Sequence, residues 1–263
     1  MTTAAIGVPR RASWTLAGRR LIALIVILGL WQLATAVGLG PSMVPSPIEV
    51  VLAIGEVLVA PSFWQGLGQT VFAALIGWLI ATVLGVVLGL FFGANRFVDR
   101  STSLIVDFGR AFPIMALMPV MILLLGQSVN MKVTMIVLGA VWPVLVQSIL
   151  GSRRLDAGIV DTAKIYRIPR ALWFRRVLLP SALPFIATGV RIAASIAILT
   201  AVGVEVLTQV PGLGRLITLA QENGRWDHTF AYLFFAGMFG WGVAALLQYA
   251  EKHLLAWNRQ SDD

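Results

Sequence analysis

The chain has 263 residues, of which 58% are hydrophobic and 12% charged, and its mean hydropathy is +0.86. Soluble domains carry about a quarter charged residues, so these values exclude a water-soluble globule and point to a polytopic membrane protein. There is no cysteine and the two histidines, His228 and His253, lie far apart, which weighs against disulfides, a metal centre or a catalytic triad.

Arg10, Arg11, Arg19 and Arg20 precede the first apolar run. That run is long enough to cross a bilayer, so an uncleaved helix is predicted at 21–38 rather than a signal peptide. The order Ser46-Pro47-Ile48-Glu49 then predicts a helix start, with proline just inside and an acid in the first turn. Further membrane helices are predicted at 69–94, 103–125, 131–150, 184–208 and 228–250. The expected fold class is all-α: one transmembrane domain over 21–250, a basic N-terminus over 1–20 and a tail over 251–263. The glycines of "GVVLGLFFGANR" sit inside the second of these helices and are read as a close-packing surface.

Charge placement orients the six helices. With the N-terminus inside, the inner segments hold four, two, seven and two basic residues in chain order, whereas the outer segments hold Lys132, Arg215 and Arg225. This is the positive-inside bias, with both termini cytoplasmic. The net charge of +8 is therefore topological, and no nucleic-acid partner is expected.

Seven of those basic residues crowd one inner loop, 151–183. Ile159, Ala163 and Tyr166 fall on one helical face. Pro169 stops that turn, and a second short helix can run from there through Trp173 and Phe174 towards Pro180. A helix-turn-helix across the cytoplasmic face is predicted, since a plain topogenic loop needs no apolar face.

The same loop resembles the signature of permease subunits of ATP-binding-cassette importers, E-A-A-x3-G-x9-I-x-L-P. The pattern falls on Asp161, Thr162, Ala163, Arg167, Val177, Leu179 and Pro180 with no gap. Asp, Thr and Arg167 depart from it, and Arg167 replaces a glycine that permits positive φ. The ordered set continues with "VPSPIEV", Thr70 ahead of Gly77, Gly85 and Gly89, "RAFPIMALMPVMILLLG", "LPSALPFIATGVRIA", Glu205 and "PGLG". It is similar to the branch that imports nitrate, taurine, aliphatic sulfonates and thiamine-precursor pyrimidines.

That resemblance implies a bacterial inner-membrane permease working as a homodimer, with a coupling helix at 158–172 docked on each of two ATP-binding subunits. An extracytoplasmic solute-binding protein would deliver the small solute. ATP and Mg would sit on the ATPase, and no cofactor on this chain, which contains no G-x-x-x-x-G-K-[ST] sequence. It is not expected to be an enzyme.

Ionisable groups at membrane depth mark function or structural pairing. Asp107 and Arg110 are placed to pair at i and i+3; Arg191 and Glu205 need partners elsewhere. Pro113 and Pro119 are expected to bend the third helix, and Met115 and Met118 to give it a flexible apolar lining. With Arg191, Glu205, Gly212 and Gly214 they form the candidate pathway and gate. An ion-coupled secondary transporter would call for inverted repeats and midplane carboxylates, and an intramembrane enzyme for paired catalytic groups; neither set stands out.

Overall fold

The computed structural model describes residues 11–39, 41–155 and 157–254, and its regular elements are all helices. Arg10, Arg259 and most of the predicted tail lie outside the described residues. Helix α1 spans Arg11–Ala36 and α2 Pro47–Val59. The expected start of α2 is a complete capping box: Ser46 Oγ accepts the Glu49 N–H, and the Glu49 carboxylate accepts the Ser46 N–H at 2.7 Å. α3 covers Pro61–Ala94, α4 Arg96–Ala111, α5 Met118–Leu125 and α6 Val129–Arg153. After α7 (Ala157–Ile165) and α8 (Arg170–Trp173), a π-helical turn at Phe174–Leu178 leads into α9 (Leu179–Leu207); α10 (Leu213–Glu222) and α11 (Trp226–Leu254) complete the chain.

Among the described residues, five stretches are long and apolar enough to cross a membrane: Gly18–Ala36, Pro61–Ala94, Val129–Arg153, Arg170–Leu207 and Trp226–His253. The predicted span at 103–125 is not one helix. Its halves, Ser101–Ala111 and Ile114–Leu125, meet at 87°, and only as a bent pair do they make a sixth crossing. The cause is local. Pro113 lacks an N–H and forces the preceding residue out of the helical region, so Phe112 is extended at φ −69°, ψ 130°. Pro119 then opens α5 instead of kinking a continuous helix. The predicted boundary at 184 also shifts, because helical structure runs from Arg170 to Leu207 with Pro180 and Pro184 inside it.

The centre of the molecule is the packing of α3, α6 and α9. On α3, small residues recur every fourth position: Ala73, Gly77, Ala81, Gly85 and Gly89 are all buried. Facing them on α6 stand Ile136, Ala140, Val144 and Ser148, also four apart and buried. Two i±4 ridges thus interdigitate. A Cβ on Gly85 would come 2.6 Å from Val144 Cβ, and one on Gly77 2.5 Å from Ile136 Cγ2, so the glycines set how closely the helices approach. Lipid tails are as apolar as these side chains, and this contact area is what holds the helices together. α1 stays outside: its most apolar window is unburied, and it meets the bundle near α2 and through Trp31 against Phe230, with ring centroids 6.1 Å apart.

Candidate functional site

Three features carry the sequence-predicted site residues: a buried polar node on α9, the bent segment before α6, and the loop between α6 and α9.

At the node, Glu205 lies in the last two turns of α9 and Lys132 in the first turn of α6, exposed by 0% and 1%. Lys132 Nζ donates to Glu205 Oε1 at 2.9 Å and to the Pro211 carbonyl at 3.0 Å. The Thr70 hydroxyl of α3 sits 2.9 and 2.8 Å from the two carboxylate oxygens and accepts the Leu213 N–H at 2.8 Å. The Gly214 N–H donates to Glu205 Oε2 at 2.9 Å. The carboxylate therefore caps the N-terminus of α10, which has no side-chain cap of its own and whose dipole favours a negative charge there. "PGLG" is explained by space: a Cβ on Gly212 would fall on the Glu205 carboxylate, and one on Gly214 would meet Val202 O at 2.5 Å. Four helices are joined by one ion pair in which both carboxylate oxygens and two of the three ammonium protons are engaged, and such added hydrogen bonds are what make a buried pair tolerable.

Lys132 reads from the sequence as a charge of an outer segment; it is instead inside α6 and buried. Ser128, whose Oγ accepts the Met131 N–H at 3.2 Å, is the capping signal that sets the helix start before Lys132. Arg191 finds its partner on α11, with Nε 2.8 Å from Glu251 Oε2, and Thr188 donates to the other carboxylate oxygen at 3.2 Å. It is thus separate from the node and fastens α9 to α11. Asp107 and Arg110 pair at 2.9 Å as expected, on an exposed face of α4.

The bent segment supplies methionines. Met118 packs with Met131, Met135, Val204 and Val210, while Met115 and Met121 lie partly buried against them. Met131 and Val204 adjoin the two members of the ion pair in the chain, so the bend and the node share one end of α6 and α9. Met115 extends over Gly203 of α9, where a Cβ would stand 2.7 Å from its Cε. Pro113 and Pro119 are exposed, as is the far face of α5 at Val120, Leu123 and Leu124.

In the loop, the predicted helix-turn-helix is present, but 158–172 is not one helix. α7 ends at Ile165, and Tyr166 to Pro169 form a break. Arg167 itself takes the left-handed conformation, φ +48°, at a cost of about 1–2 kcal/mol for a residue bearing Cβ. Ile168 N–H reaches Ala163 O and Tyr166 N–H reaches Thr162 O, each at 3.0 Å, which ends α7 as a Schellman-type turn. Ile159, Asp161, Thr162, Tyr166, Arg167, Pro169 and Pro180 are exposed; Ala163, Val177 and Leu179 are half-buried. Among the described residues α7 packs extensively on no other helix, whereas Leu178 at the end of the π-turn and Ala182 beyond it are buried in the bundle.

Comparison with known proteins agrees with this arrangement. Residues 81–259 match the family model described as the inner membrane component of binding-protein-dependent transport systems. The protein named aliphatic sulfonates transport permease SsuC of Escherichia coli is 32% identical over 88% of this chain and 89% of its own length. The nitrate import permease NrtB of Leptolyngbya laminosa is 27% identical over 89% of this chain and 86% of its own. Among solved structures, a chain of the inward-facing MetNI methionine ABC transporter superposes with a TM-score of 0.61 at 16% identity, over 73% of this chain and 94% of that one, a likeness of fold. An ion-coupled secondary transporter is not favoured by these matches. The chain belongs to the family of inner-membrane permease components of binding-protein-dependent transport systems.

Proposed function

We propose that two copies of this chain form the gated pathway of an ATP-driven importer for a small oxyanion such as a sulfonate or nitrate. Each copy docks its α7–turn–α8 loop on a separate ATP-hydrolysing subunit that holds ATP and Mg, and an extracytoplasmic binding protein delivers the solute. Both termini face the cytoplasm. The substrate class follows the names of the relatives, which share the chemistry of a small oxyanion. The observation that supports docking is the loop itself: a short helix and its following turn, set apart from the central packing of α3, α6 and α9, with Ile159, Ile165 and Tyr166 exposed. An apolar helical face of this kind suits a groove on a partner, and the surrounding basic residues steer the encounter.

Ala163→Asp places a charge on the face shared with Ile159, outside the membrane-spanning helices. The expected result is normal membrane insertion with loss of co-purifying ATP hydrolysis and of uptake of labelled sulfonate or nitrate; full transport in this variant would overturn the docking. Orientation has its own test, because the chain lacks cysteine. A Gly158→Cys variant should resist an impermeant maleimide in intact cells and react once the membrane is opened.

A further inference from the structure

Arg167 is the one non-glycine residue with positive φ among those described. At this position glycine is the residue that fits without steric conflict, since the left-handed region crowds any Cβ against the backbone. The Ile168 N–H to Ala163 O bond that closes the turn is backbone to backbone and would form equally with glycine, so it does not favour arginine. The Arg167 side chain is exposed, and no side-chain hydrogen bond or ion pair of it is found among the described residues. A non-glycine residue held in a sparsely populated conformation points to what its side chain does outside the fold.

The surroundings indicate what that is. Ile165 and Tyr166, next to it in the chain, are 78% and 76% exposed. An aromatic, an aliphatic and an arginine side chain exposed together have the composition of a binding hot spot. Between residues 151 and 183 the chain carries seven basic side chains but only two acidic ones, Asp156 and Asp161, so the complementary surface is acidic. Anionic lipid headgroups are the weaker match. A diffuse lipid charge is satisfied by any of the neighbouring basic residues, and it gives no reason for one of them to occupy a left-handed turn. A carboxylate fixed on a folded partner does, because the two-pronged guanidinium contact depends on direction.

We propose that Arg167 is a specificity-determining residue of the docking loop, its guanidinium paired in bidentate fashion with a carboxylate on the ATP-hydrolysing partner, with Ile165 and Tyr166 covering apolar surface beside it. The inference rests on the docking reading above.

The test uses full-length tagged permease purified with its ATPase from its own cells, and reads ATP hydrolysis retained per permease as salt is raised from about 50 to about 500 mM. Arg167→Gly relieves the turn, so its melting temperature should be unchanged or higher; nevertheless retained hydrolysis should fall about ten-fold or more, the scale of one lost charge-assisted bond. Arg167→Lys keeps the charge but not the fork and should fall between the two. Retention equal to wild type in Arg167→Gly overturns the proposal. So does a loss that disappears when the complex is assembled in phosphatidylcholine nanodiscs and returns with phosphatidylglycerol, which would assign the arginine to lipid. If Ala163→Asp dissociates the ATPase and Arg167→Gly does not, docking stands and this inference alone falls.

Discussion

Lys132→Met should lower the stability of the permease by about 3–5 kcal/mol, the cost of leaving one member of a buried ion pair unpaired. Methionine fills much of the space of the lysine stem, so the loss falls on the Glu205 carboxylate, which keeps only Thr70 and the Gly214 N–H. The Pro211 carbonyl loses its donor as well. In a thermal melt of the detergent-solubilised protein this corresponds to a fall of roughly 10 °C, taking about 2–4 °C per kcal/mol for a chain of this size. Glu205→Gln should fall by a similar amount, with the ammonium stranded instead. The double variant is the sharper measurement. Removing both charges abolishes the unpaired partner, so its melting temperature should lie above that of either single variant. Additive losses would mean that the two groups do not act as a pair.

The second large effect is expected at the α3–α6 seam. A Cβ on Gly89 would lie 2.7 Å from the Leu145 carbonyl oxygen and 2.5 Å from Ser148 Cβ. The first of these neighbours is backbone and cannot swing aside. Gly89→Ala should therefore cost about 1–3 kcal/mol through overpacking, and Gly89→Val more, by separating the two helices. Gly68 on the same helix supplies the control, since nothing lies within 4 Å of its would-be Cβ. There, alanine should be neutral or stabilising by about 0.5–1 kcal/mol, as for glycine replaced inside an exposed helix. Yield of monodisperse protein by gel filtration, together with the melting temperature, distinguishes the two positions. A further Ser148→Gly change should restore only part of the Gly89→Ala loss.

These two sites differ in how far the sequence reveals them. The glycines of α3 recur at a helical interval inside one apolar run, so their packing role is legible from a single segment. The Ser46 cap is equally local, as is the amphipathic face of α7. Lys132 and Glu205 are 73 positions apart, and no periodicity joins them. With the helix start set at 131, the lysine reads as a charge at the water boundary; only the packing of α6 on α9 turns it inward. The prolines of the third apolar run announce a bend but not its size, which depends on Phe112 turning extended and on a 3₁₀ turn at Ile114–Leu117 before α5 resumes. Arg167 is hidden for another reason: residues with a Cβ rarely adopt left-handed backbone, so the sequence points to Pro169 as the breaker. The continuity of Arg170–Leu207 was hidden by its change of composition, basic and amphipathic at one end and apolar at the other.

That continuity has a mechanical consequence. From Arg170 to Glu205 the helical path is about 50 Å at 1.5 Å per residue, and the π-turn at Phe174–Leu178 keeps it helical throughout. A path of this length would act as a lever wherever it moved as one piece. Held near its middle, where Gly189 fits against Pro143 and Val144 of α6, it exchanges a tilt at one end for an opposite displacement at the other. A rotation of about 5° about that fulcrum moves each end by about 2 Å, on the scale of the helix shifts that switch protein interfaces. One end carries the Arg170 side of the turn after α7 and the other carries Glu205. The two ends are thus linked along one helical path without any contact between them.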